Sequence, residues 1–228
     1  MTVTVFDITE GVHTYGWKGN RRFGDCVEVA FEDLRQLKYL HNENEVARLW
    51  ADVHGIPGRA HLTFSLYAQY LATLGEKPSP TIGSSPTGFL AWCYQHGLIN
   101  EWASIELGTD RVSAVTEAAD TYHGAMLTLM LTADMYQGFD DHVPWGTPLG
   151  YGETPLPQFT HEVALVRATP DYLVVATWDQ NKLMTIPCAQ STIVWCNVFL
   201  TDADEWDVDY QSKLDDLRVL RTGNAQVA

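Results

Sequence analysis

The spacing of hydrophobic residues changes its period along this chain. From Val27 to Leu40 the apolar positions Val27, Ala30, Phe31, Leu34 and Leu37 recur every three or four residues. That spacing predicts a helix with one buried face. Thr63 to Leu74 predicts another, stopped by Gly75 and the Pro78-Ser79-Pro80 loop, and Thr87 to His96 a third, stopped by Gly97. Glu43 to Val53 and Arg111 to Tyr122 are two further predicted helices. Past Phe159 the pattern becomes a series of short apolar runs: His161 to Ala168, Asp171 to Thr177 and Lys182 to Pro187. Thr169-Pro170 and Asp179-Gln180-Asn181 supply the turns between these three predicted strands. Trp102 to Leu107 and Ala125 to Leu131 predict two more strands. Thr2 to Ile8 reads as a strand or an extended arm, and Ser191 to Phe199 as a strand or a helix.

Helices first and an antiparallel sheet second is an α+β order. A chain of 228 residues is long enough to bury one full core. The expected organisation is therefore a single domain over 1–228. Residues 1–24 form a glycine-rich, aromatic wrapping loop or arm, and 25–135 a mainly helical half. Residues 136–160 form a Pro/Gly-rich loop, 161–200 the antiparallel sheet, and 201–228 an acidic tail with one polar helix.

Charge narrows the possible partners. Fourteen basic against 29 acidic residues give a net charge of −15. Phosphate backbones need clustered Lys and Arg, so nucleic acid is not an expected partner. No apolar run approaches the ~20 residues of a membrane span, so no membrane partner is expected either. No charged-then-apolar leader opens the sequence, which excludes a signal peptide from the expectation. Much of the acidity lies between Asp202 and Asp216. It reads as a solvated face rather than a calcium loop, because the glycine and terminal glutamate of an EF-hand are missing. Cys26, Cys93, Cys188 and Cys196 show no CxxC pair and no zinc-ligand spacing, so reduced thiols are expected. His54 and His61 flank a Gly-Pro-Gly turn without a zinc spacing, and Asp140-Asp141-His142 lacks a third ligand. No metal and no cofactor are expected.

One cysteine stands apart from the other three. Cys26 follows Gly24-Asp25 and opens the first predicted helix, where unpaired N–H groups and the macrodipole favour a thiolate. Asp25 is the predicted cap. A histidine beside such a thiol would act as base and then as acid, and His161 heads a buried strand. Cys93, Cys188 and Cys196 lie in apolar stretches and read as core.

The segment Gly19-Asn20-Arg21-Arg22-Phe23-Gly24-Asp25-Cys26, the strand His161-Glu162-Val163-Ala164-Leu165-Val166 and the later Thr177-Trp178 resemble the papain-like cysteine peptidases. They resemble most closely the small bacteriophage-encoded relatives of those enzymes. The resemblance runs from about Trp17 to about Glu205, with specific motifs only at its two ends. It implies a papain-like fold in which the Cys26 helix packs on the histidine strand and the two side chains meet across a cleft. It also implies a hydrolase that cleaves peptide or isopeptide bonds in a peptide or protein substrate, without a cofactor. Cys26 would be the nucleophile and His161 the base, and Asn20 would help form the oxyanion hole. Asp179, with Thr177 as the alternative, would orient the histidine, and Trp178 would shield that hydrogen bond. A phage protein would act in the host bacterial cytoplasm or in the virion. Two alternatives remain beside it: a non-catalytic virion structural or interaction protein on the same fold, bound to other virion proteins, and a transglutaminase-like acyl transfer.

Overall fold

The structure is a computed structural model that describes residues 2–8, 24–41, 60–133, 135, 143–146, 155–177 and 180–224. The predicted helix over Glu43 to Val53 lies outside these residues. Helix α1 spans Cys26–His41 and is the central element. Its apolar face is buried, with Val27, Ala30, Phe31, Leu34 and Leu37 each at most 2% exposed. Its polar side is enclosed as well: Glu28, Glu32, Asp33 and Lys38 are all buried. Helices α2 (Ala60–Thr73) and α3 (Pro86–Gln95) pack beside it, and Ser85 caps α3 by accepting the Gly88 N–H. Helix α4 (Arg111–Thr121) is capped by Asp110 through the Ser113 N–H.

The strands are β1 (Phe6–Asp7), β2 (Glu101–Ser104), β3 (Ala125–Thr132), β4 (Pro155–Ala168), β5 (Tyr172–Thr177), β6 (Gln180–Thr185) and β7 (Ile193–Leu200). They form one sheet in the order β2-β7-β3-β4-β5-β6, with β1 paired to the end of β4, and every pairing is antiparallel. The sheet thus draws β2 and β3 from the mainly helical part of the chain. Helix α1 lies along β4. Gly124, at a φ of +101°, lets β3 start against α1, since a Cβ there would come within 2.5 Å of Leu34.

The structure corrects two expectations and settles two that were open. Strand β4 begins at Pro155, inside the stretch expected to be loop up to residue 160, and continues through His161. The Lys182 to Pro187 run ends as a strand at Thr185. Helix α5 (Ile186–Thr192) follows it, so Ser191 to Phe199 belongs partly to α5 and partly to β7. The signal for α5 was available, because Thr185 accepts the Cys188 N–H and Pro187 sits in the first turn. Residues 2–8 contribute only the two-residue strand β1. The acidic tail is a 3-10 turn (Asp202–Trp206) and helix α6 (Tyr210–Asn224), anchored where the Arg221 Nη2 donates to the buried Glu101 at 3.2 Å.

Candidate active site

Cys26 is the first residue of α1, half-buried at the edge of the core. Gly24 sets its position. A Cβ at residue 24 would lie 2.1 Å from the Ile82 carbonyl oxygen, so only glycine lets the chain run this close to the α2–α3 connection. The Gly24 N–H donates to the Ser79 carbonyl at 3.2 Å, and Gly24 bridges Gly83 in parallel. The Tyr67 hydroxyl ties the same connection down from α2, donating to the Ser79 and Ile82 carbonyls. The thiol itself meets the backbone N–H of Glu162 on β4, the residue after His161.

His161 is buried at 5% exposure, and its Nε2 lies 2.7 Å from the Thr177 Oγ1 on neighbouring β5. Of the expected site residues, the structure therefore brings Cys26 to the backbone of Glu162, the residue after His161, and Thr177 to His161. Asn20, Trp178 and Asp179 lie outside the described residues. Cys93, Cys188 and Cys196 are buried in the core.

The electrostatics depart from the expected acidified thiol. Burial pushes Cys26 up to about 12, and the nearby Glu162, Glu28 and Asp25 push it the same way against the opposing Glu162 N–H. Burial also holds His161 down at about 3. The thiol and the imidazole are thus both neutral at rest: burial, helped by the nearby acids, keeps the thiol protonated, and burial alone keeps the imidazole uncharged.

The acids were not foreseen. Asp25 does not cap α1 with its side chain; its carbonyl accepts the Val29 N–H at 3.0 Å, while both carboxyl oxygens are buried without a partner among the described residues. Glu28 accepts from Ser84 through Oε1 and leaves Oε2 unpartnered. Glu162 accepts from Thr128 through Oε2 at 2.7 Å and leaves Oε1 unpartnered. Burial raises Asp25 to about 7 and both glutamates to about 8. The sequence did carry a signal, since Glu162 interrupts an otherwise apolar strand on the face opposite His161.

A second acidic group lies away from the thiol. His123, Asp204 and Asp207 place ligand atoms within 4.8 Å of one another. Their charge is already balanced: Lys38 Nζ lies 3.0 Å from Asp204 and Lys213 Nζ 3.0 Å from Asp207. Burial alone would raise Asp204, but Lys38, His123 and the Thr201 backbone outweigh it and hold the carboxyl at about 2. This part of the acidic tail is a buried ion pair rather than a solvated face.

Among solved structures, the chain is similar to xylellain, a cysteine protease from Xylella fastidiosa. The two share 13% identity over 88% of this chain and 87% of that one, with a TM-score of 0.52. The fold is that of a papain-like cysteine protease. A second similar structure is the Carica candamarcensis cysteine protease CMS1MS2 in complex with E-64, at 10% identity, 88% and 99% coverage and a TM-score of 0.44. No family model matches the chain, and no curated protein matches it in sequence. The α+β expectation and the packing of the Cys26 helix on the histidine strand hold in this fold.

Proposed function

We propose that this protein is a cysteine-nucleophile hydrolase that cleaves a peptide or isopeptide bond in a peptide or protein substrate. The observation that carries this reading is the meeting of the Cys26 thiol with β4 one residue past His161, whose Nε2 is held by Thr177. With Nε2–H donating to Thr177, the ring nitrogen that serves the thiol is Nδ1. Because both groups are neutral at rest, the thiol proton passes to Nδ1 as Sγ bonds to the carbonyl carbon, rather than from a standing ion pair. The imidazolium then protonates the departing amine, and water, deprotonated by the same imidazole, releases the acyl group. The Cys26 N–H at the helix start and the Asn20 amide would stabilise the oxyanion, a contribution typically of about 3 kcal/mol. Asp179 would take over the orienting role if Thr177 proved dispensable, with Trp178 covering that bond. The Gly19 to Cys26 segment and the His161 strand support placing the protein among phage-encoded enzymes that act in the host bacterial cytoplasm or the virion.

The high thiol and the low imidazole favour one rival, a non-catalytic virion or interaction protein that keeps the fold without turnover. Hydrolysis of a fluorogenic peptide library separates the two. The hydrolase reading expects turnover that Cys26→Ala abolishes in a variant that still melts cooperatively. Absence of turnover on every peptide and isopeptide substrate, in protein shown to be folded, supports the rival.

A further inference from the structure

A cavity of about 560 Å³ lies between the start of α3 and the sheet, lined by Ser85, Thr128, Met130, Thr160 and Trp195 among others. Strand register ties it to the buried acids. Met130 pairs with Thr160, and Thr128 pairs with both Glu162 and Trp195, so these side chains share one face of the sheet. Glu162 therefore sits on the cavity side of β4, and the Thr128 hydroxyl on the cavity wall holds its Oε2. On the α3 side, Ser84 holds Glu28 beside the lining residue Ser85. Each glutamate keeps one buried oxygen without a partner. The charged groups that act on Cys26, Glu28 and Glu162 are all acids; no lysine or arginine among the described residues acts on them. The wall above them is apolar, and Trp195 is 57% exposed.

We propose that this cavity takes a lysine or arginine side chain of the substrate, with its aliphatic stem against Met130 and Trp195 and its cationic head toward Glu162 and Glu28. The proposal rests on the hydrolase reading only in calling the ligand a substrate. Two buried carboxyls, each with an unpartnered oxygen, have no countercharge among the described residues, and a basic side chain supplies one with N–H donors. The indole face adds a cation–π contact that a neutral side chain cannot make. Raised to about 8 by burial, both glutamates carry protons in the empty site at neutral pH, so binding a cation expels protons.

The test is calorimetric binding to the Cys26→Ala protein at pH 7.5. The ligands are blocked tripeptides that carry arginine, citrulline or leucine at each position in turn. Citrulline keeps the shape of arginine without its charge. The expected result is arginine binding at least about tenfold tighter than citrulline and leucine at one position, with proton release seen by comparing phosphate and Tris buffers. Glu162→Gln should bring arginine to within about threefold of citrulline and reduce the proton release, with a melting curve to show that the variant folds. Equal binding of arginine and citrulline, a preference for leucine, or no binding of any peptide overturns the proposal. Turnover of leucine peptides by the wild-type protein without an arginine preference also overturns it, while leaving the hydrolase reading intact. Arginine-selective binding without any turnover supports the basic pocket and removes the hydrolase reading.

Discussion

One hydroxyl on β5 helps to orient His161. Thr177 Oγ1 lies 2.7 Å from Nε2 in a buried setting, where a lost partner costs about 1–3 kcal/mol. Thr177→Val keeps the shape and removes the hydroxyl. On the hydrolase reading, the expected outcome is a drop in kcat of roughly ten- to a hundredfold with KM little changed, measured on any substrate that the wild-type protein turns over. An unchanged kcat would transfer the orienting role to Asp179. How much of the site was legible follows from what pattern can carry. Gly24-Asp25 before a helix exposed Cys26, and the resemblance supplied His161. Strand alternation puts Thr177 and an extended Asp179 on one face; the structure pairs Thr177 with His161, and Asp179, favoured for its stronger charge-assisted bond, lies outside the described residues. The buried acids were not legible, because periodicity reports spacing and not depth: Asp25 and Glu28 look like ordinary first-turn acids of a surface helix.

At the scale of elements, the placement of α1 against the α2–α3 connection decides where the thiol sits. Gly24→Ala would drive a Cβ to 2.1 Å from the Ile82 oxygen, and backbone cannot yield as a side-chain end can. The expected cost is about 1–3 kcal/mol of stability by denaturant unfolding, with slower alkylation of Cys26 as the helix start shifts. Stability and alkylation rate equal to those of the wild type would show that the connection does not fix the site. Helices α1, α2, α3 and α4 were legible because each has three- and four-residue spacing and a stop or cap. Helix α5 was not, since Pro187 reads as a breaker until Thr185 is recognised as its cap. The first half of β4 was hidden by prolines 155 and 157, which suggest loop although the strand begins there.

Across the whole molecule, the surplus of acid is handled in two ways: Asp204 is ion-paired with Lys38 across the fold, whereas Asp25, Glu28 and Glu162 are buried without a cation among the described residues. The second arrangement makes stability depend on pH. Folded values of about 7 and 8 lie above the ordinary carboxyl range. The stabilisation of the protonated state is therefore full at low pH and is lost as pH rises through about 7 to 8. His161, held at about 3, loses stability only below its unfolded value near 6.5, and Asp204 only as pH falls toward about 2, so neither offsets the trend in this window. The melting temperature should fall by several degrees between about pH 6.5 and pH 8.5, and Glu28→Gln with Glu162→Gln should flatten that slope. A melting temperature that does not change with pH in the wild type would mean that the three acids are solvated. The central claim, that Cys26 is a nucleophile served by His161, is tested most directly by intact-protein mass spectrometry after treatment with an arginine-containing peptidyl acyloxymethyl ketone. The account expects one adduct per chain, mapped to Cys26, with labelling slowed roughly a hundredfold or more in His161→Ala. No adduct on the native protein, or labelling of Cys26 that is indifferent to His161, would contradict it.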